Sequence, residues 1–311
     1  MKTFTLILTL CCFCIFGASA QENTELFTPT GLIYGSLQIP EAAKPMPVVL
    51  IISGSGPTDR DGNNTQMKNN SLKQLADTLE AHGFASVRYD KRGIAESADA
   101  GLSEEDLRFD NYVDDAASWI LKLKKDSRFS KVIVAGHSEG SLIGMIAANK
   151  SNADGFISIA GAGRSADLIL KEQLASQPEA IKTASYTSID SLKNGQLVKE
   201  VNPMLFALFR PSVQPYMISW FKFDPQLEIA KLQIPIQIIQ GTTDLQVTME
   251  DASNLNKNAP GSTFSVITQM NHVLKTAPES RQENLKTYYD PKIPLNPDFC
   301  LAITTFLNQF R

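Results

Sequence analysis

The chain has 311 residues, of which 43% are hydrophobic and 20% charged, and its formal net charge is −4. This balance is typical of a folded globular protein and argues against a disordered or fibrous chain. A small negative charge also gives no indication of nucleic acid as a partner.

The first twenty residues have the pattern of a secretory signal peptide. A positive start precedes an apolar run over residues 4–16, and Ala18-Ser19-Ala20 forms a small-residue cleavage site. We expect cleavage near Ala20 and a secreted or periplasmic protein without a stable membrane anchor, because the run is too short for a membrane span. The alternative is lipidation of Cys11, Cys12 or Cys14, but bulky residues precede each of them.

Cleavage near Ala20 removes three of the four cysteines and leaves Cys300. The mature chain is therefore expected to contain no internal disulfide. We also expect no metal or cofactor, because three histidines and one remaining cysteine form no ligand spacing.

Strand-like and helix-like segments then alternate along the chain. The predicted strands are Leu32–Ile39, Pro47–Ile52, Phe84–Tyr89, Val132–Ala135, Gly155–Ala160, Ile234–Gln240 and Ser262–Ile267. The predicted helices are Leu72–His82, Tyr112–Lys124, Ser141–Asn149, Met249–Asn256 and Pro297–Gln309. Such alternation predicts an α/β protein with a mostly parallel sheet and helices on both faces.

Residues 164–230 interrupt this alternation, which divides the predicted core into residues 21–163 and 231–311. The segment is rich in apolar and aromatic residues: Leu205, Phe206, Leu208, Phe209, Tyr216, Met217, Ile218, Trp220 and Phe221. These residues are either additional core or the inner face of an inserted cap that lines a substrate pocket. The return of the alternation after residue 230 favours the cap.

A serine lies at the turn between a predicted strand and a predicted helix, in Gly136-His137-Ser138-Glu139-Gly140. Glycines two residues before and after the serine let strand and helix converge, and the strained turn exposes a nucleophilic hydroxyl. The N–H of Glu139 is then expected to donate to the oxyanion. The alternative is an ordinary tight turn.

A serine nucleophile needs a base, and the base needs an acid that fixes its tautomer. His272 follows the last predicted strand and is the candidate base, whereas His82 is expected to cap a helix and His137 to have a structural role. Asp244, just after the strand Ile234–Gln240, is the candidate acid. Asp167, after the preceding strand, is the alternative.

A second oxyanion donor is expected in the loop after Pro47–Ile52, which begins Ser53-Gly54-Ser55-Gly56. Ser55 is favoured by its position, with Gly56 as the alternative. A phosphate-binding loop is not indicated, because the Lys-Ser/Thr pair of such loops is missing.

The segments Gly136–Gly140, Gly241–Asp244 and Asn271-His272 resemble the α/β-hydrolase superfamily. The loop over residues 53–62, together with Asp90-Lys91-Arg92-Gly93, looks like a bacterial carboxylesterase branch that is similar to serine aminopeptidases and acylglycerol lipases. The resemblance implies an eight-stranded, mostly parallel sheet, a helical cap after the sixth strand and hydrolysis of short acyl esters. One departure is Ser53, which stands where many relatives have histidine.

The sequence therefore predicts a serine esterase that cleaves small-molecule esters through an acyl-enzyme, with Ser138, His272 and Asp244 as the catalytic residues. A peptidase is the first alternative, and it needs an anchor for a free amino terminus, such as Glu172 or Glu179. A non-catalytic binding protein on the same fold is the second alternative.

Overall fold

Eight strands form one sheet in the computed structural model, which describes residues 21–41 and 45–311. The strands are β1 (Gln21–Thr28), β2 (Gly31–Gln38), β3 (Met46–Ile52), β4 (Ala85–Tyr89), β5 (Phe129–His137), β6 (Gly155–Ile159), β7 (Ile236–Gly241) and β8 (Thr263–Ile267). Their order is β1-β2-β4-β3-β5-β6-β7-β8. The pairs β1–β2 and β2–β4 are antiparallel and all others are parallel, which confirms the expected eight-stranded, mostly parallel sheet. The predicted signal peptide, residues 1–20, lies outside the described residues.

The first strand was absent from the sequence prediction, which began the sheet at Leu32–Ile39. That segment is β2, and β1 precedes it as the other half of an antiparallel hairpin. The sequence of β1, Gln-Glu-Asn-Thr-Glu-Leu-Phe-Thr, is mostly polar, and only one of its residues is buried because the strand lies at the edge of the sheet. An edge strand buries little apolar surface, so it lacks the pattern that marks the central strands.

Eleven α-helices occur in the described part of the chain. They are α1 (Ser71–Ala81), α2 (Phe109–Lys124), α3 (Glu139–Lys150), α4 (Ala166–Leu174), α5 (Glu179–Lys193), α6 (Phe206–Phe209), α7 (Gln214–Trp220), α8 (Pro225–Ile229), α9 (Met249–Asn258), α10 (Arg281–Lys286) and α11 (Pro297–Leu307). Two apolar clusters cover the two faces of the sheet: one contains side chains of α1 and α11, the other side chains of α2, α3, α8 and α9. Within the described residues, no helix is both long and apolar enough to span a membrane.

The central strands explain where functional residues gather. All seven residues of β3 and all six of β7 are buried, because helices cover both faces. Parallel strands place their carboxyl ends at one edge of the sheet, and ligand sites of open α/β sheets lie at that edge. The segments after β3, β5, β7 and β8 therefore meet in space.

Residues 164–230, the predicted cap segment, contain α4 to α8 between the sixth and seventh strands. Most of the segment has an apolar cluster of its own, in which Phe209 and Phe221 are fully buried. Trp220 is partly buried and packs against both this cluster and the main core, whereas Phe206 is 52% exposed. Ile229 of α8 belongs to the main core. The aromatic residues identified in the sequence thus lie in different environments, from fully buried to exposed.

Candidate active site

The turn between β5 and α3 holds Ser138 in an unusual backbone conformation. Its φ is 55° and its ψ is −122°, a region that side chains other than glycine rarely adopt. A Cβ on Gly136 would lie 2.2 Å from the carbonyl oxygen of Gly140, and one on Gly140 would lie 2.4 Å from the oxygen of Ile52. Only glycine fits at both positions, so strand and helix approach closely enough to raise Ser138 above the sheet.

His272 lies beside this turn because His137 anchors it. Nε2 of His137 is 2.8 Å from the backbone oxygen of His272, and the two ring centroids are 4.8 Å apart. Burial, and then the neighbouring His272, lower the pKa of His137 to about 3. A neutral ring with its proton on Nε2 can donate to the carbonyl. The structural role expected for His137 is therefore to hold the backbone of the candidate base next to Ser138.

Asp244 contacts the other side of the His272 ring. Its Oδ2 is 2.9 Å from Nδ1 of His272, and both side chains are buried. Burial works against ionisation of Asp244, but the His272 ring and the N–H groups of Val247 and Gln246 outweigh it and hold the pKa of the carboxyl below its ordinary value. An ionised acceptor at Nδ1 leaves Nε2 of His272 available to take a proton.

The alternative acid, Asp167, and the remaining histidine, His82, have other partners. Asp167 forms an ion pair with Lys193 at 3.1 Å, inside the cap segment. His82 is the C-cap residue of α1, with Nδ1 2.8 Å from the carbonyl oxygen of Thr78, as expected. Of the two acids considered, only Asp244 reaches His272.

The hydroxyl of Ser138 is half-buried and makes no hydrogen bond to any described residue. It is therefore not hydrogen-bonded to His272. Nucleophile–base contacts are often long without substrate and shorten when the substrate is bound.

The first residue of α3 and the loop that carries Ser55 both lie next to the serine. The N–H of Glu139 is the first in α3, and the first N–H groups of a helix have no partner within it. A Cβ on Gly54 would lie 3.1 Å from Cβ of Ser138, so the loop carrying Ser55 approaches the turn closely. Ser53 is buried and its hydroxyl donates to the carbonyl of Thr58 at 3.3 Å, which closes the loop.

Ser138 opens into a pocket of about 640 Å³. The core contributes Ser55, Ser138, Glu139, Leu142 and Val247 to its wall, and the cap segment contributes Ile169, Leu170, Leu208, Val213, Met217 and Trp220. This volume lies within the range of pockets that hold small organic ligands.

Every charged side chain that lines this pocket has a partner of opposite sign. The pairs are Lys91–Glu139 at 3.4 Å, Arg92–Asp115 at 2.5 Å, Arg164–Asp251 at 2.8 Å with Glu172 also bound to Arg164, and Arg210–Glu104. The described wall therefore presents apolar surface and neutralised charge, which suits an uncharged substrate.

A buried polar group next to the serine was not predicted from the sequence. Lys91 follows β4, and its ammonium contacts Glu139, whose other carboxylate oxygen accepts a hydrogen bond from the Tyr216 hydroxyl. Burial, and then the Glu139 carboxylate, raise the pKa of Tyr216 well above its ordinary value, so the phenol stays protonated and donates. The available signal was a lysine directly after a buried strand. Among the described residues, no cluster of three or more His, Cys, Asp or Glu side chains is arranged to hold a metal ion.

Comparison with known proteins supports a relationship to hydrolases. A family model described as serine aminopeptidase, S33, matches residues 67–197. Esterase EstD of Thermotoga maritima is 30% identical over 248 residues, which cover 77% of this chain and 57% of EstD. The chain thus spans somewhat more than half the length of that relative.

Solved structures share the fold at low sequence identity. Est1E from Butyrivibrio proteoclasticus, solved with ferulic acid bound, has a TM-score of 0.63 and 17% identity, covering 90% of this chain and 95% of its own. A thermophilic esterase from Thermogutta terrifontis has a TM-score of 0.55 and 18% identity, covering 94% of this chain and 98% of its own. The sheet, the strained serine turn and the chain order Ser138, Asp244, His272 therefore agree with the α/β-hydrolase fold, and the chain is similar to hydrolases and esterases with this fold.

Proposed function

We propose that this protein is a serine hydrolase that cleaves short-chain carboxylic esters through an acyl-enzyme. The observation that carries the proposal is the buried Asp244–His272 hydrogen bond, held through His137 beside the strained Ser138. Sequence similarity to a protein named esterase EstD supports the same chemistry.

In the proposed reaction, Ser138 attacks the ester carbonyl and His272 takes the hydroxyl proton. Asp244 keeps the imidazole in the tautomer that accepts at Nε2 and stabilises the charge that develops on the ring. The N–H groups of Glu139 and Ser55 bind the oxyanion of the tetrahedral intermediate. His272 then passes the proton to the leaving alcohol, and water, activated by the same ring, releases the acid and restores Ser138.

The volume and the lining of the pocket support the proposed class of substrate. A volume of about 640 Å³ exceeds the space that a short acyl group needs, so the remaining room is available to an apolar alcohol. The cap side chains Leu170, Met217 and Trp220 form an apolar wall that limits the acyl group.

The peptidase alternative is less well supported. Its proposed anchors for an amino terminus already have cationic partners: Glu172 contacts Arg164 at 2.6 Å, and Glu179 contacts Lys182 at 3.4 Å. Glu179 is also outside the pocket wall. An amino-terminal ammonium would find no unpaired carboxylate among the described residues that line the pocket.

A substrate panel tests the proposal. Nitrophenyl esters of graded acyl length and aminoacyl nitroanilides are compared on the wild type, on Ser138→Ala and on Ser141→Ala, a matched control whose buried hydroxyl bonds Ser158. We expect ester turnover that favours short acyl groups, loss of several orders of magnitude in Ser138→Ala, and near-normal rates in Ser141→Ala. Faster turnover of the nitroanilides, or unchanged rates in Ser138→Ala, would contradict the proposal.

We also propose export of the chain, on the basis of the signal-peptide pattern at its start. Amino-terminal sequencing of the protein from its native host tests this. A mature start at Gln21 agrees with export, and retention of Met1 contradicts it.

A further inference from the structure

The ammonium of Lys91 is buried against the carbonyl of Gly54, in the loop that carries the candidate oxyanion donor Ser55. The side chain is 1% exposed, and its Nζ has three partners. It donates to the carbonyl oxygen of Gly54 at 2.5 Å, contacts Oε2 of Glu139 at 3.4 Å and lies 5.1 Å from the ring centroid of Tyr112. Two of these contacts are hydrogen bonds, and the third is a cation–π contact.

The Gly54 contact bears on the oxyanion through the geometry of one peptide unit. The carbonyl of Gly54 and the N–H of Ser55 belong to the same peptide, which is planar and trans, so the two groups point in opposite directions. Because Lys91 holds the carbonyl on one side, the N–H of Ser55 is directed to the other. Cβ of Ser138 lies next to this loop, as the position of Gly54 shows.

A charged donor at a carbonyl also polarises the peptide. Hydrogen bonds in a chain strengthen one another in a buried environment, so an ammonium on Gly54 makes the Ser55 N–H a stronger donor. Glu139 compensates the buried charge, and the hydroxyl of Tyr216 binds the same carboxylate from the cap segment.

We propose that Lys91 is a positioning residue that orients the Gly54–Ser55 peptide, and thereby aims the Ser55 N–H at the oxyanion formed on Ser138. This inference rests on the proposed ester hydrolysis and adds to it a residue that acts through another group. Lys91 itself does not contact the substrate carbonyl in this account.

The first test replaces Lys91 by methionine, which keeps the length of the side chain and removes the ammonium. Loss of one oxyanion donor typically lowers kcat by 10²–10³, and a misdirected donor should cost less, about 10- to 100-fold. We expect this fall in kcat with KM within about threefold of the wild type, because the interaction acts in the transition state.

Inhibitors separate this role from a merely structural one. An aryl trifluoromethyl ketone adds to a reactive serine and forms an oxyanion, whereas the matching methyl ketone binds without addition. Affinity for the trifluoromethyl ketone should fall in Lys91→Met by about the factor seen in kcat, and affinity for the methyl ketone should stay unchanged. Equal weakening of both ketones would mean that the pocket has collapsed, and would overturn the proposal.

Two further variants control for the buried charge. In Lys91→Met the carboxylate of Glu139 loses its cationic partner, and the double variant Lys91→Met with Glu139→Gln removes that unpaired charge. The double variant therefore provides the test if the single variant does not fold, and it should show the same fall in kcat. Arg88→Met removes another buried cation, which binds Asp61 and Gln21 away from the pocket, and should keep kcat within about threefold while lowering the melting temperature.

The outcomes for the wild type and the variants distinguish failure of the proposed function from failure of the proposed role of Lys91. A wild type that neither hydrolyses esters nor binds the trifluoromethyl ketone refutes the proposed function. An active wild type with an unchanged kcat in folded Lys91→Met, or in the double variant, refutes the role of Lys91 alone.

Discussion

Replacement of Gly136 by alanine tests whether the serine turn depends on close approach of β5 and α3. The added Cβ would lie 2.2 Å from the oxygen of Gly140 and 2.6 Å from Cα of Ser141, both backbone atoms. Favourable non-bonded contacts need about 3.5 Å, so α3 must move by roughly 1 Å relative to the strand. Overpacking of this kind costs about 1–3 kcal/mol, and a backbone clash belongs at or above the upper end.

The same shift displaces Ser138 from its position next to His272. A misplacement of about 1 Å can cost a factor of about 10² in rate, so we expect kcat to fall by about that factor in the protein that remains folded. Urea unfolding followed by circular dichroism measures the stability, and ester turnover corrected for the active fraction measures the rate.

Gly144→Ala is the matched control on the same helix. Its Cβ would meet side-chain atoms of Val134 and Phe156 at 3.0 and 3.1 Å, which can yield by a few tenths of an ångström. Alanine also favours the helix over glycine by about 1 kcal/mol, so the net change in stability should be small. Equal effects of the two substitutions, or a Gly136→Ala enzyme with wild-type stability and kcat, would show that the serine turn does not depend on this close approach.

Three other predictions concern the acid, the buried histidine and the cap. Asp244→Asn should keep the fold and lower kcat by about 10⁴, as in related triads, whereas Asp167→Asn should change kcat little; steady-state kinetics decide, and the reverse result would place the acid after the earlier strand. The pKa of His137, lowered to about 3 by burial, lies below that of the unfolded chain, so the unfolded state takes up the proton first as the pH falls. The free energy of unfolding should therefore be highest above about pH 6.5 and should fall by roughly 2 kcal/mol between pH 7 and pH 5. Urea titrations at each pH should show that His137→Gln loses this pH dependence. Trp220→Ala should extend acceptance to longer acyl groups while acetate turnover stays within about tenfold, because this ring lines the pocket. Phe209→Ala, in the interior of the cap segment, should instead cost about 3–5 kcal/mol in thermal melts without changing the acyl-length profile.

Much of the sheet could be predicted because its central strands are short, fully buried apolar runs. The segment Pro47–Ile52 agrees with β3 to within one residue. The start of α3 differs by two residues: the prediction began at Ser141 and the helix begins at Glu139, since the serine turn leads directly into the helix. β1 escaped prediction because its polar residues lie at the exposed edge of the sheet.

The serine turn and its partners were accessible from the sequence because each follows a strand that ends at the same edge. The contact of Asp244 with His272 needed the structure, since Asp167 satisfied the same positional rule. The different environments of the aromatic residues could not be predicted, for another reason. Apolar periodicity identifies residues that avoid water, but it does not distinguish Phe221, buried inside the cap segment, from Trp220, which lines the pocket.

Spacing in the sequence could not predict that Lys91 contacts Gly54 and Glu139, or that Tyr216 contacts Glu139. These residues come from the segments after β3, β4 and β5 and from α7, and Tyr216 is the furthest away in the sequence. Only the folded chain brings their side chains together. A lysine after a buried strand gives no indication of which carbonyl it will bind.

Covalent labelling with a fluorophosphonate tests most directly whether Ser138 is the nucleophile. Intact mass spectrometry and peptide mapping are applied to the wild type, to His272→Ala and to Ser138→Ala. We expect one label on the wild type, located on Ser138, much slower labelling of His272→Ala and none on Ser138→Ala. An unlabelled wild type that still turns over esters, or a label at another residue, would contradict the assignment of Ser138 as the nucleophile.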